Sequence, residues 1–230
     1  MIYITGDTHG EFYRIEEFCK EYETTTDDIM IILGDAGVNF WLNDRDTRLK
    51  NELLELPITL FCIHGNHEER PYMIDTYEEK EWNGGMVYWE ADYPNILFAK
   101  DGEIYDLGGK KCIAIGGAYS IDKDYRLRVG APWYETEQPS NEIKDYVEAQ
   151  LDKVDWQVDC VLSHTTPLPY EPRWAFLPGY NQDAIDKTTE NWLAWIEENL
   201  SYESWYAGHF HVDSDEGPIH LMYTEIEEFE

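Results

Sequence analysis

The sequence predicts an α/β fold: one domain over residues 1–230 in which two packed β-sheets carry helices on their outer faces. Two observations predict it. In the first third, short runs that are apolar throughout alternate with amphipathic segments of helical period, the pattern of βαβ units whose sheet is covered on both faces. From about Trp82 the texture changes to short strands separated by turns, which supplies the second sheet.

The elements follow in order. "MIYIT" reads as a buried strand, "EFYRIEEFCKEY" as an amphipathic helix and "IMIIL" as a second buried strand. "DRDTRLKNELLEL" is again helical, and "ITLFCI" is a third strand. Then come "MVYWE", "NILFA", "GEIYDL" and "KKCIAIGG" as strands, and a helix from Asn141 to Lys153 behind the capping residue Ser140. The strand "DCVLS", a helix over Thr189 to Asn199, and the strands "SWYAG" and "IHLMY" complete the set, and the tail "EIEEFE" reads as a solvated charged end.

Composition bounds the function. Hydrophobic residues make up 43% of the 230 and aromatics 15%, ample for a packed core. The 17 Lys+Arg face 48 Asp+Glu, a net charge of −31 that repels nucleic acid polymers and anionic membranes at long range. Small anionic substrates remain open, because a bound cation inverts the local field. Cys19, Cys62, Cys112 and Cys160 are widely spread with no C-x-x-C pair, which points to buried free thiols and a reducing compartment. With a strand starting at Met1, the expectation is a soluble cytoplasmic protein; protein partners are unspecified.

Chemistry in such folds gathers at the carboxyl ends of strands. Here those ends read Gly6-Asp7-Thr8-His9-Gly10, Gly34-Asp35, Gly65-Asn66-His67-Glu68, Ser163-His164 and Gly208-His209-Phe210-His211. Each turn alone has an ordinary structural explanation. Together they hold five of the seven histidines, and packing does not explain that concentration. Carboxylate, imidazole and amide oxygen form a mixed N/O donor set suited to Mn²⁺, Fe or Zn²⁺ and poor for Ca²⁺ or Cu(I).

This ordered set, from Gly6 to His211, resembles the calcineurin-like metallophosphoesterases, in particular small bacterial- or phage-type single-domain members. The resemblance implies a four-layer α/β/β/α sandwich with two divalent metal ions at the strand ends, Mn²⁺ first and Fe, Zn²⁺ or Ni²⁺ as alternatives. It implies one ion held by Asp7, His9, Asp35 and His211 and the other by Asp35, Asn66, His164 and His209, with Asp35 bridging. It further implies hydrolysis of a phosphate ester by water activated between the ions, with His67 as general acid toward the leaving group.

One departure matters. Protein phosphatases of this family carry G-D-x-x-D-R-G, where the Asp orients the histidine and the Arg grips phosphate; here Val38 and Asn39 stand in those places. The expected substrate is therefore a small phosphodiester or nucleotide. A phosphoprotein or phosphomonoester phosphatase, a nuclease of the same fold and a non-catalytic metal-binding scaffold are the alternatives. Substrate contacts are sought in Lys123, Arg126 and Arg128, which are equally readable as a solvated turn balanced by Asp122 and Asp124, and in Arg70, which could instead pair with a carboxylate. Tyr170 and Trp174 are read as packing their long Pro- and aromatic-rich loop, with a stacking wall as the alternative, and His64 and His220 as structural.

Overall fold

The computed structural model describes residues 1–176 and 182–229. The chain runs β1 (Ile2–Thr5), α1 (Tyr13–Tyr22), β2 (Ile29–Ile32), α2 (Asp44–Leu53), β3 (Thr59–Cys62), β4 (Glu78–Trp82), β5 (Gly85–Trp89), β6 (Ile96–Ala99), β7 (Ile104–Leu107) and β8 (Lys110–Ile115). It continues through α3 (Lys123–Val129), α4 (Asn141–Lys153), β9 (Cys160–Ser163), α5 (Thr188–Asn199), β10 (Ser204–Ala207), β11 (Ser214–Glu216), β12 (Ile219–Leu221) and β13 (Ile226–Glu228). One sheet is ordered β13-β1-β2-β3-β6-β5-β4 and the other β11-β12-β10-β9-β8-β7.

Three apolar layers hold these parts together. Between the sheets lie Ile4, Ile31, Leu33, Phe61, Leu97, Tyr105, Ala114 and Leu162. On the outer face of the first sheet, Ile15 and Cys19 of α1 and Leu53 of α2 pack on Met30, Ile32 and Leu60. On the outer face of the second, Val147 and Leu151 of α4 and Leu193 and Ile196 of α5 pack on Ile113, Val161 and Trp205. The result is an α/β/β/α sandwich. Every residue of β6 and β9 is buried, which is why these runs are apolar without alternation. The Ser140 side chain accepts the Ile143 N–H at 3.3 Å and caps α4. All four cysteines are buried and free. No helix among the described residues is long and apolar enough to cross a membrane.

The tail corrects the sequence expectation. Rather than a solvated end, β13 pairs antiparallel with β1, Tyr3 opposite Glu228, and Phe229 enters the layer between the sheets. β4 and β11 are also strands that the reading missed; both are edge strands rich in charge. Residues 123–129, read as possible turn, form the short helix α3.

The topology positions the site. β1, β2 and β3 are parallel, with Ile4 opposite Ile31 and Ile31 opposite Phe61, so their carboxyl ends emerge side by side. In the second sheet β9 and β10 are parallel, Leu162 opposite Tyr206. The two sets meet across the sandwich, where His164 Nδ1, just past β9, donates to the Leu33 carbonyl just past β2 at 2.7 Å.

Candidate metal centre

Among the described residues, three groups bring ligand atoms within 4.8 Å of one another: Asp7, His9 and His211; His9, Asp35 and His67; and Asp7, Asp35 and His164. Asp7 and Asp35 recur, and both are almost fully buried. His211 Nε2 lies 3.1 Å from Asp7 Oδ2 and 2.9 Å from His9 Nε2. His9 Nε2 lies 3.7 Å from Asp7 Oδ2 and 3.9 Å from Asp35 Oδ2. On the other side of Asp35, His164 Nε2 is 3.6 Å from Oδ1 and 2.8 Å from Asn66 Oδ1. The His209 ring sits 5.0 Å from that of His164, and its backbone N–H donates to Asp7 Oδ1 at 2.9 Å. Of the seven residues that the resemblance implies as ligands, five thus surround the other two, the buried carboxylates Asp7 and Asp35.

The local backbone is strained toward this end. His9, Asp35, His209 and His211 all have φ between 48° and 67°, a conformation that costs non-glycine residues energy and marks functional constraint. Two glycines allow the close approach. A Cβ on Gly34 would fall 2.0 Å from His164 Nδ1, and one on Gly65 would fall 2.0 Å from Asp35 Oδ1.

Electrostatics keeps Asp7, Asp35 and His209 in ligand form. Burial alone raises the Asp7 carboxyl, but the His211 hydrogen bond and the charges of His164, His211 and His9 outweigh it and hold Asp7 well below the usual range. Asp35 is likewise raised by burial and lowered on balance, through His164, His67 and His9. Burial, then His164, pushes His209 down to about 3, so its imidazole is neutral and free to donate a lone pair. The hydrogen bond to Asp7 raises His211.

The donor set fits a cation at one point with particular force. His164 Nδ1 uses its proton on the Leu33 carbonyl, so Nε2 presents a lone pair. Asn66 Nδ2 donates to Ser120 Oγ at 2.9 Å, so Asn66 presents Oδ1. These two acceptors face each other at 2.8 Å in a fully buried site, and a cation between them removes the conflict. His9, Asp7, Asp35 and His211 would hold a second ion, and such ions supply charge neutralisation and water activation.

The sequence model of the calcineurin-like phosphoesterases matches residues 1–213. The chain belongs to the calcineurin-like phosphoesterase family. It is therefore a metal-dependent phosphate-ester hydrolase. Among solved structures it is similar to phosphopantetheinyl hydrolase from Mycobacterium tuberculosis, with 13% identity, 96% of this chain and 87% of that one covered, and a TM-score of 0.55. A protein of Thermus thermophilus matches at 14% identity over 96% of this chain and 87% of that one, with a TM-score of 0.53. At such identities these likenesses show the fold alone. No curated protein matches the chain in sequence.

His67 lies at the mouth of this phosphoesterase centre, its ring 5.2 Å from that of His9, its backbone N–H donating to Asp35 Oδ1 at 2.7 Å. Its Nε2 stands 3.8 Å from Asp122 Oδ1. The sequence reading treats Asp122 only as a counter-charge; in the structure it supplies the carboxylate beside His67 that Val38, packed in the core, does not. Burial lowers the His67 pKa, with Asp35 opposing and Arg126 adding to the lowering. Asn39 is buried and bonded to the Tyr77 hydroxyl, away from any phosphate role.

The candidate substrate cations are mostly engaged elsewhere. Arg70 is buried against Asp101 and the Thr136 carbonyl and lines no part of the cleft described below. Arg126 is buried too, bonded to Ser120 and 3.0 Å from Asp122, so it braces the group that holds Asn66 and His67. Lys123 sits 3.8 Å over the Trp133 ring, and Arg128 is exposed on α3. Tyr170 packs with α5 and bonds Glu197, whereas Trp174 is exposed. The rest of that loop, 177–181, lies outside the described residues. His64 is buried and joins none of the three groups, and His220 stacks on Tyr206 beside Asp215, remote from the centre.

A cleft of about 470 Å³ opens from His9, Asp35 and His67 toward Tyr119, Phe176 and Phe210. Its aromatic and aliphatic wall was invisible in the sequence, because it joins residues from α3's approach, the loop after β9 and the β10 turn. The one available signal is Phe210, which stands between two ligand histidines.

Proposed function

We propose that the protein hydrolyses a small phosphate ester, a phosphodiester or nucleotide, with its phosphate on the Asp7–Asp35 centre and its organic group in the cleft. One observation carries this reading: the candidate ligands gathered about the buried carboxylates Asp7 and Asp35 open directly into a cavity of small-molecule size. His67, beside Asp122 at the cleft mouth, delivers the proton to the departing oxygen or contacts the phosphate. Mn²⁺ is the proposed resident ion, and a cytoplasmic setting fits four free thiols.

Phosphoproteins are disfavoured by Val38 and Asn39, which leave no arginine at the family's phosphate-gripping position. Nucleic acid polymers are disfavoured by the charge of −31. A scaffold role is disfavoured because all seven ligand positions are filled.

The test is a substrate panel assayed with Mn²⁺, Ni²⁺, Zn²⁺ and Mg²⁺. It should include aryl mono- and diesters, nucleotides, a phosphopantetheinyl ester, a phosphopeptide and long DNA and RNA. Metal-dependent turnover of small diesters or nucleotides above the phosphopeptide and polymers is the expected result. Efficient cleavage of the polymers would establish the nuclease instead, and no turnover with any metal would leave the scaffold.

A further inference from the structure

The cleft extends beyond the ligands along a wall that metal binding does not use. Ile121, Ile185 and Val212 line it with Phe176 and Phe210, whose rings stack 22° apart at 6.1 Å. Such a surface suits a planar or apolar body and offers nothing to a bare phosphate. Set into the same wall is Glu190, in the first turn of α5 and only 2% exposed.

A carboxylate in an apolar wall needs partners, and Glu190 has half of them. Its Oε1 accepts from Thr165 Oγ1 at 3.2 Å, but Oε2, although buried, has no hydrogen-bond partner among the described residues. Lys187, the cation of this wall, is committed to Glu171 Oε1 at 2.5 Å. Glu171 is the other buried carboxylate nearby, and it takes both local cations, Lys187 and the exposed Arg173 at 3.9 Å from its Oε2. A buried acceptor left without a donor carries a desolvation cost, and the charge of Lys187 offsets it only in part, since burial still raises the Glu190 carboxyl on balance. Thr165 directly follows the ligand residue His164, which puts the Glu190 carboxyl one side chain away from the centre.

We propose that Glu190 Oε2 reads the organic group of the substrate, accepting a hydrogen bond from an N–H or O–H on a planar or apolar body held by Phe176 and Phe210. This rests on the phosphoesterase reading above and narrows it. The favoured class is a phosphate ester of a nucleoside-like group, with a ring to stack and a donor on its edge or its sugar. Plain aryl and alkyl esters lack the donor, and highly hydroxylated sugar phosphates lack the apolar face. Burial pushes the Glu190 carboxyl up to about 6, which still leaves it ionised and purely an acceptor at pH 8.

The experiment compares two diesters with the same leaving chromophore on Mn²⁺-loaded protein. One is thymidine 5′-(p-nitrophenyl phosphate), which carries donors; the other is bis(p-nitrophenyl) phosphate, which carries none. Wild type should prefer the thymidine ester. Glu190→Ala should lower its kcat/KM by about 10–100-fold, the loss of one charge-assisted hydrogen bond, and change the bis-aryl ester by less than about threefold. The near-isosteric Glu190→Gln guards against a folding failure of the alanine variant, and should lose part of the same preference with metal content and unfolding cooperativity unchanged. Equal losses on both esters, or no loss on either, would overturn the assignment. Failure of wild type to turn over any ester would instead sink the phosphoesterase reading. Equilibrium binding of thymidine 5′-phosphate and phenyl phosphate then decides on Glu190: a selective loss of the thymidine ligand in the variants supports it, and unchanged affinities overturn it.

Discussion

Replacing Gly65 with alanine should dismantle the centre from behind. The added Cβ would lie 2.0 Å from Asp35 Oδ1, 2.1 Å from Asp35 N and 2.8 Å from Asp35 Cα. Two of these are backbone atoms and the third belongs to the short, buried Asp35 carboxylate, so no flexible tip can yield. Ordinary contact begins near 3.4 Å, so the turn carrying Asn66 and His67 must retreat by about 1 Å or more. That movement breaks the His67 N–H to Asp35 Oδ1 bond at 2.7 Å and strains the Gly65 N–H to Glu68 Oε1 bond at 3.0 Å. A hydrogen bond to a charged group contributes about 1.5–3 kcal/mol, and overpacking a filled site costs about 1–3 kcal/mol. The expected destabilisation is therefore about 3–5 kcal/mol, read by urea unfolding of chelator-treated protein. Elemental analysis after reconstitution should show fewer ions than wild type, the one that Asn66 would hold being lost. Gly130→Ala is the control: its φ is +71° with nothing within 4 Å of the new carbon, so it should cost only about 1–2 kcal/mol of backbone strain and keep both metals. Should Gly65→Ala hold two ions and unfold within about 1 kcal/mol of wild type, the close-packing account of these turns is wrong.

Other outcomes follow from the same structure. His67→Ala should keep its metals yet lose about 10²–10⁴-fold in kcat on an ester with an alkoxide leaving group and little on p-nitrophenolate; Asp122→Asn should show the same selectivity more weakly, and equal defects on both substrates would remove the general-acid role. The Glu190 carboxyl is raised from 4.5 to about 6, first by burial. Its proton-bound form therefore favours the fold: the contribution is complete below about pH 4.5 and is lost as pH rises through 6, about 2 kcal/mol in all. Chelator-treated Glu190→Gln should accordingly exceed wild type in stability by up to about 2 kcal/mol at pH 8 and match it at pH 4.5, and a gap that does not change with pH would contradict the shift. Phe229→Ala should cost about 3 kcal/mol by chemical denaturation, as befits a core aromatic, against less than about 0.5 kcal/mol if the tail were solvated.

What the sequence disclosed divides along physical lines. Central strands such as Ile29–Ile32 and Cys160–Ser163 are buried on both faces, so their composition alone announces them. β4, β11 and β13 are held at or near sheet edges by backbone hydrogen bonds, and their charged side chains carry no apolar pattern to read. The candidate site was legible because its seven residues fall in five turns, each close after a strand, and the order of short motifs survives in one dimension. Asp122 and Glu190 were not, since each reaches the cleft from an element remote from its partner: Asp122 approaches His67 across 55 positions of chain, and Glu190 meets Thr165 across 25. Arg70 and Arg126 misled for the converse reason. Near the motifs in sequence, both are buried among carboxylates and carbonyls in space.

The central claim is a binuclear centre bridged by Asp35, and metal stoichiometry tests it most directly. Chelator-treated protein reconstituted with Mn²⁺ and freed of excess ion should retain about two ions per chain by elemental analysis, as two-metal hydrolysis requires. Asp35→Asn, which removes the carboxylate that faces His9 on one side and His164 on the other, should retain one or none while remaining folded. A wild-type protein that keeps no ion, or an Asp35→Asn variant that keeps two at unchanged affinity, would contradict the account.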